Sequence, residues 1–164
     1  MVIQMDKLYD SETGCCIKFD PKPWDNKKIK FKDRLFLKDH VFCLFNIPMT
    51  FGKVMVKNME LIKNADALIK TPLMLYDCKS MFGADIYIAV SKEVKGAAME
   101  KLSGTFLTKV FEGNFNQTGK WIAEMKAYVS SKKATMKKLY FYYTTCPKCA
   151  KHYGKNYTVL LAEI

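Results

Sequence analysis

Short segments of the chain alternate apolar and polar residues or run apolar residues together, and each predicts a β-strand. In the segment 40–47 neighbours such as Val41 and Phe42 are both apolar, so both faces of the strand are apolar, as in a central strand. Pro48 ends this strand because proline has no backbone N–H to donate. The same reasoning predicts strands at 73–77, 85–90, 105–112, 139–143 and 157–162.

Two segments place apolar residues at the three-to-four-residue spacing of an amphipathic helix, and they predict helices over about 51–66 and 118–132. Thr50 and Thr118 stand at the two helix starts and are predicted to cap the first free backbone N–H groups. The predicted buried faces consist of Phe51, Met55, Met59 and Ile62 in the first helix, and of Trp121, Ile122, Met125 and Val129 in the second.

The order strand, helix, strand, strand therefore occurs twice, at an offset near 67 residues. This repeat predicts an α+β fold in which duplicated strand-helix-strand-strand units form an antiparallel sheet with two helices on one face. We expect a single domain over 1–164, with an N-terminal arm at 1–34, a first repeat at 35–100 and a second repeat at 101–164. A groove is expected on the pseudo-twofold axis between the repeats.

The arm contains Pro21 and Pro23, which exclude a helix there and favour an extended, rigid segment. We predict that it wraps the domain and that Trp24 anchors it. Tyr142 lies in a strand with aromatic residues on both faces. Its outer face is expected either to stack a planar ligand or to pack beneath the arm and Trp24.

The composition of the chain argues against nucleic acid and membranes as binding partners. The chain has 164 residues, 49% of them hydrophobic, and a net charge of +11, yet Arg34 is its sole arginine. Proteins that read nucleic acid favour arginine for forked contacts to phosphate and guanine, so nucleic-acid binding is not expected. No apolar run approaches the ~20 residues of a membrane span, and the start shows no secretory pattern. We expect a cytoplasmic protein without membrane contact, and the oligomeric state stays open.

Six cysteines in such a protein are more typical of thiols or metal ligands than of disulfides. Cys146 and Cys149 have the two-residue spacing of a zinc-binding pair, and His152 could supply a third ligand. Cys15 and Cys16 could add thiols from the arm. The alternatives are a redox-active dithiol or two reduced cysteines in a turn between strands. No cofactor is required by the pattern, and zinc is the one that it would accept.

The stretch 110–115, Val-Phe-Glu-Gly-Asn-Phe, leads into the helix that carries Trp121. With the duplicated order, it makes residues 35–164 resemble the GyrI-like superfamily, which includes the gyrase-inhibitory protein and the effector-binding domains of multidrug-responsive activators. The SOUL haem-binding fold shares this layout. Segments 19–25, 102–106 and 143–157 also resemble a group of small proteins labelled hydrolases. The resemblance implies a cleft for flat, apolar or cationic small molecules, lined by aromatic residues and a carboxylate.

The expected function is therefore the binding of a small-molecule ligand, with hydrolysis of a planar or reactive molecule through a cleft carboxylate as the enzymatic form. Glu112 is the predicted catalytic carboxylate, because it ends the first strand of the second half. Asp77, Asp85 and Glu124 are further candidate carboxylates. The alternatives are a noncatalytic protein that masks a toxin or a protein partner, and a zinc or redox protein. The predicted ligand-binding residues are Asn46, Tyr87, Trp121 and Tyr142.

Overall fold

The computed structural model describes residues 16–164, which contain seven β-strands and three α-helices. The strands pair antiparallel, and the predicted α+β class is confirmed. A single turn of 3₁₀ helix, Phe115–Gln117, precedes α2. The elements are β1 Lys27–Leu44, β2 Ile47–Pro48, α1 Phe51–Asn64, β3 Met74–Ser80, β4 Gly83–Ala89, β5 Ala98–Glu112, α2 Thr118–Ser131, β6 Lys138–Tyr143, α3 Pro147–Tyr153 and β7 Tyr157–Glu163.

The chain forms two compact units, one of residues 31–103 and one whose described part is 16–30 with 104–164. Both units have the same topology. In the first, β4 pairs with β1 and β3; in the second, β7 pairs with β5 and β6. Helices α1 and α2 each have 14 residues and begin 67 positions apart. The predicted repeat of strand, helix, strand, strand is thus present, whereas the single-domain assignment stays a prediction.

Both main helices lie within two residues of the predicted bounds, because their apolar residues supply a buried face. Helix α1 buries Met59 and Ile62, and α2 buries Trp121, Met125 and Val129. Each face packs away from water and contributes about 1.5–3 kcal/mol per fully buried large side chain. None of the described helices has the length and hydrophobicity needed to cross a bilayer.

The predicted helix caps are wrong. Thr50 does precede α1, but its hydroxyl accepts a hydrogen bond from the Phe42 N–H at 2.9 Å and makes no bond to the helix. Thr118 is the first residue of α2 rather than its cap, and its hydroxyl donates to the Phe115 carbonyl. In both cases the threonine hydroxyl is hydrogen-bonded to a backbone group outside the helix instead of to a free N–H group at the helix start. Threonine side chains often form such local bonds to the backbone in place of a cap.

Strand β1 begins at Lys27, well inside the predicted arm. The lysine-rich segment 27–34 alternates with Ile29 and Phe31, and this period-2 pattern suits a strand although most of its residues are charged. The arm proper therefore ends at Asn26. At its other end β1 stops at Leu44, because Phe45 and Asn46 take positive φ angles of 49° and 67° in a tight turn to β2.

The arm packs on the second unit through two aromatic residues. The Trp24 ring lies 5.5 Å from that of Tyr142, and the Phe19 ring lies 6.0 Å from it. Two hydrogen bonds between side chains and backbone reinforce this contact: the Thr108 hydroxyl donates to the Trp24 carbonyl, and the Val110 N–H donates to the Asp25 carboxylate at 3.1 Å. The arm thus packs on Tyr142 of β6, as one of the two alternatives predicts.

The segment after β6 is a helix rather than the predicted turn. Helix α3 has Cys146 as its N-cap residue, Pro147 in its first turn and Gly154 at its C-cap with φ of 70°. Proline suits the first helical position because it has no N–H to leave unbonded. Glycine adopts the left-handed C-cap conformation without steric cost. The pair Cys146 and Cys149 therefore straddles the start of a short helix.

Candidate functional site

Three ionisable side chains stand in a row across the sheet of unit 31–103. His40 on β1 is the direct partner of Asp85 on β4, and Asp85 is in turn the direct partner of Asp77 on β3. Directly opposed residues of antiparallel strands project from the same face of the sheet. The imidazole and the two carboxylates therefore share one face.

Helix α1 covers the other face. Asp39, adjacent to His40 and so pointing away from it, accepts hydrogen bonds from the amide of Asn58 and the ammonium of Lys57, both at 2.8 Å. Burial works to raise the pKa of the Asp39 carboxyl, but the bonds from Lys57, Asn58 and the His40 N–H outweigh burial and hold that pKa below its usual value. The row of ionisable residues thus lies on the face without α1.

The central contact of the row joins His40 to Asp85. The imidazole Nδ1 lies 3.0 Å from Asp85 Oδ1, and 18% of the Asp85 side chain is exposed against 58% of the His40 side chain. A carboxylate accepts, so Nδ1 carries the proton and donates it. The other nitrogen, Nε2, then has a lone pair available to take a proton from water.

Gly83 fixes where the imidazole can lie. A Cβ atom at position 83 would come within 2.6 Å of Cε1 and 2.7 Å of Nε2 of His40. Both distances are far below van der Waals contact, so any larger residue at position 83 would push the ring away. The glycine leaves room for the imidazole above β4, next to Asp85.

The ammonium groups of two lysines offset the negative charge of Asp77 and Asp85. Asp77 is 4% exposed, and the Lys79 ammonium lies 2.5 Å from Asp77 and 3.8 Å from Asp85. The Lys38 ammonium lies 3.9 Å from Asp85 and 2.9 Å from Glu100. The bond to Glu100 raises the pKa of Lys38 although partial burial opposes it, so Lys38 stays cationic. Two opposed carboxylates would repel without these cations.

An apolar surface adjoins the row. Phe42 follows His40 by two positions on the same strand face and is 48% exposed, and Phe82, next to Gly83, is 50% exposed. Exposed large apolar residues that cluster in one region mark binding surfaces more often than single ones do. The other members of this surface, at the ends of the β1–β2 and β3–β4 hairpins, are Leu44, Phe45, Ile47, Met49 and Met81.

The residues predicted for the groove divide between the units. Asn46 and Tyr87 belong to unit 31–103, and Glu112, Trp121 and Tyr142 belong to the other. Asn46 occupies the exposed turn after β1, whereas Tyr87 is 1% exposed on β4 with the Lys38 ammonium 5.3 Å from its ring centre. The groove that was expected to unite them stays a prediction.

Glu112 is exposed and forms an ion pair with Lys155 at 3.0 Å. That pair raises the pKa of Lys155 above its usual value. A shallow depression lies beside Glu112 and is lined by Asn114, Phe115 and Lys151 among others. Its expected role as the catalytic carboxylate stays a prediction.

The two predicted aromatic walls of this unit are packed rather than open. Trp121 is 3% exposed and stacks on Phe111 with ring centres 5.7 Å apart. Tyr142 is 7% exposed beneath Trp24 and Phe19. Both rings contribute to the core of their unit, and any contact that they make with a ligand stays a prediction.

Three cysteines lie close together, whereas the predicted metal-binding set was Cys146, Cys149 and His152. The Sγ atoms of Cys16, Cys146 and Cys149 all lie within 4.8 Å of one another. His152 is not a member of this group; it is exposed, and its ring packs on that of Tyr153 at 5.2 Å. The arm thus supplies the third sulfur, and the cluster could hold a metal ion.

Comparison with known proteins shows the family and the fold of the chain. The family described as bacterial hydrolase matches residues 6–164. The chain belongs to this family. No curated protein matches it. Among similar solved structures is the C-terminal domain of EcmrR, with a TM-score of 0.66 and 10% identity, covering 85% of this chain and 96% of that one. At that identity the likeness shows the fold alone, which is GyrI-like.

The sequence could have suggested the His40–Asp85 pair only weakly. Each residue lies in a predicted strand or at its edge, and alternation assigns each to a face. The pairing itself depends on the register between β1 and β4, which are separated in the chain by α1 and β3. Nothing local in the sequence fixes that register, so the pair becomes visible in the structure.

Proposed function

We propose that this bacterial hydrolase family member cleaves a small apolar molecule with an electrophilic carbon, using water activated by His40 and Asp85. The observation that carries the proposal is the 3.0 Å contact between His40 Nδ1 and a mostly buried Asp85 carboxylate. A carboxylate that holds one imidazole nitrogen fixes the tautomer, so that the other nitrogen acts as a general base. The GyrI-like fold is compatible with a small-molecule ligand.

In the proposed step, His40 Nε2 takes a proton from a water molecule as the water oxygen bonds to the electrophilic carbon. The bond from that carbon to the leaving group then breaks, and its electron pair departs with the leaving group. His40 returns the proton to the leaving group, so the imidazole ends the cycle neutral. Asp85 stabilises the imidazolium that exists between the two transfers and stays ionised throughout.

Lys38 and Lys79 support the transfer electrostatically. The Lys38 and Lys79 ammonium groups lie 3.9 Å and 3.8 Å from Asp85. Both are therefore near the carboxylate that holds the His40 imidazole. Negative charge that develops on the substrate in the transition state is stabilised by positive groups already in position. The two lysines would take this role, with Asp77 as the buried counter-charge of Lys79 and Glu100 as that of Lys38.

The proposed substrate is apolar because of the surface beside His40. Phe42 is the strand partner of Gly83 and Phe82 precedes it in the chain, and both rings are exposed. Exposed rings attract planar apolar groups and cations. We propose that the part of the substrate that does not react lies against these rings. The exposed large side chains of this surface are apolar, which suits an apolar substrate better than a sugar or a phosphate ester.

The experiment measures hydrolysis of p-nitrophenyl acetate and p-nitrophenyl butyrate by the purified full chain. We expect turnover to fall about 10²–10⁴-fold in His40→Gln, the usual contribution of a general base. The matched control is His152→Gln, because the chain has two histidines and His152 is also exposed. Unchanged turnover in His40→Gln, or an equal loss in His152→Gln, contradicts the proposal.

A second candidate is binding without catalysis. It is favoured by the seven large apolar side chains exposed around the two hairpin ends in unit 31–103. Such a protein would bind an apolar compound through these side chains and release it unchanged. Thermal stabilisation by planar cationic or apolar compounds, lost in Phe42→Ser and retained in His40→Gln, with no hydrolysis of any ester tested, supports binding over catalysis.

A further inference from the structure

Three thiols gather where the arm meets helix α3. The Sγ atoms of Cys16, Cys146 and Cys149 lie within 4.8 Å of one another, and all three residues belong to the same compact unit. None of the three forms a disulfide with another described cysteine. Tetrahedral zinc with Zn–S bonds of ~2.3 Å holds its sulfur ligands ~3.8 Å apart, so a small closure of the trio gives that geometry.

The surroundings of the trio suit thiolates. Cys149 is fully buried, and Cys16 and Cys146 are partly buried, so the sulfurs are shielded from bulk water. The backbone N–H of Cys146 donates to Cys16 Sγ at 3.4 Å, which stabilises negative charge on that sulfur. Lys148 and Lys151 on α3 add positive charge to the segment that carries two of the three thiols.

The arm is positioned to deliver Cys16 independently of any metal. The Tyr153 hydroxyl at the end of α3 donates to the Cys16 carbonyl at 2.7 Å. Phe19 contacts the rings of Tyr142 and Tyr157, which keeps the following arm residues on the same unit. Cys16 and Cys146 are more than 120 residues apart in sequence, so a metal bound to both would close a long loop. Metals that close long loops are expected to stabilise a fold most.

We infer that Cys16, Cys146 and Cys149 bind one Zn²⁺ ion that fastens the N-terminal arm to helix α3. The site is structural, because three thiolates are a donor set that zinc prefers and the sulfurs are largely shielded from water. Water or a fourth side chain completes the tetrahedron. The inference is independent of the proposed hydrolysis, which needs no metal.

The test is metal content of the full chain, purified with reductant and dialysed with ZnCl₂, then freed of loose ions. We expect about one zinc per chain, and a Co²⁺-substituted sample should show thiolate-to-cobalt charge transfer with the strong visible bands of a tetrahedral site. Affinity should fall at least about 10–100-fold in Cys149→Ser, since even outer-shell changes cause such losses. Because Cys149 is buried, the partly exposed Cys16→Ser serves as a second variant.

Cys78→Ser is the matched control. Cys78 lies on β3 and is not a member of the trio, so its thiol is available as a comparison for the loss of one sulfur. That variant should keep the metal. A chain that takes up no zinc, or one in which Cys16→Ser and Cys149→Ser bind zinc as the unaltered chain does, overturns the inference. So does an intact mass showing that Cys146 and Cys149 form a disulfide under these reducing conditions.

The fourth ligand can be found in the same experiment. His152 is the predicted histidine ligand, and a Co²⁺ spectrum that changes in His152→Ala assigns the position to it. An unchanged spectrum assigns the position to water or to another thiol. Either spectrum, with metal content near one, supports the three-thiolate site.

Discussion

The imidazole of His40 lies over Gly83 so closely that a Cβ atom at position 83 would stand 2.6 Å from its Cε1 atom. This relationship couples a backbone position on β4 to the side chain that we propose as the general base. The imidazole is the flexible partner, so a methyl group at position 83 moves the ring rather than the strand. The hydrogen bond from His40 to Asp85 depends on that ring position.

Gly83→Ala is therefore expected to disable catalysis without unfolding the protein. Displacement of the ring breaks the 3.0 Å contact with Asp85, and turnover of p-nitrophenyl butyrate should fall about 10-fold or more. The control is Gly52→Ala in the first turn of α1, where a Cβ meets nothing within 4 Å and alanine is a better helix former than glycine. Equal activity in the two variants would show that the ring position is unimportant.

Stability at acid pH should depend on Asp39. Its pKa is lower in the folded state than in the unfolded chain, so its contribution is complete above its ordinary pKa of 3.8 and is lost as pH falls through the folded value. Asp39→Asn should lower the free energy of unfolding at pH 7 by about 1–2 kcal/mol. Urea unfolding at several pH values should show the difference shrinking as pH falls below 3.8 and the folded carboxyl takes up its proton.

Glu60, an exposed residue of α1, provides the comparison for Asp39. Glu60→Gln removes a carboxylate from α1 without disturbing Asn58 or Lys57, and should change the unfolding free energy by less than about 0.5 kcal/mol at either pH. A pH-independent loss in Asp39→Asn would mean that the side chain acts through packing rather than through its charge.

Lys79 and Asp77 should be energetically coupled. Asp77 is buried, and its carboxylate contacts the Lys79 ammonium at 2.5 Å, so Lys79→Met leaves a buried charge with less compensation. We expect a loss of about 1–3 kcal/mol in unfolding free energy. The double variant Asp77→Asn with Lys79→Met should be less destabilised than the sum of its parts, by about 1–2 kcal/mol. Strict additivity would show that the two side chains do not interact.

The arm is expected to stabilise its unit through Trp24. Trp24→Ala removes the ring that packs on Tyr142 and should cost about 2 kcal/mol, less than for a fully buried tryptophan because Trp24 is half-buried. Trp24→Phe, which keeps an aromatic ring, should recover most of the loss. Chemical unfolding gives the free energies. If Trp24→Ala were neutral, the contact with Tyr142 would be unimportant for stability.

The amphipathic helices were the part of the fold that the sequence predicted best. Periodic apolar residues identify α1 and α2 because each must bury one face, and that requirement is local. Strand β1 was predicted too short, since lysines on its exposed face hide the alternation of Ile29 and Phe31. Helix α3 was missed although Pro147 and Gly154 marked its ends, because Cys-Pro-Lys-Cys is also typical of a turn.

The candidate site depended on contacts that the sequence does not specify. Asp77 and Asp85 were among the candidate carboxylates, but His40 joins them only through the β1–β4 register. Cys16 was recognised as a thiol that the arm could supply, and its distance from Cys146 is set by how the arm folds back. Local pattern gives the face of each residue, whereas long-range pairing decides which residues meet.

The most direct test asks which carboxylate acts with His40, by measuring kcat/KM of His40→Gln, Asp85→Asn, their double variant and Glu112→Gln on p-nitrophenyl butyrate. We predict that the double variant is about as impaired as His40→Gln alone, because residues that act as a unit are not additive. Glu112→Gln should retain normal kcat/KM, since Glu112 is exposed and paired with Lys155. Loss of turnover in Glu112→Gln with normal turnover in Asp85→Asn would contradict the assignment of His40 and Asp85.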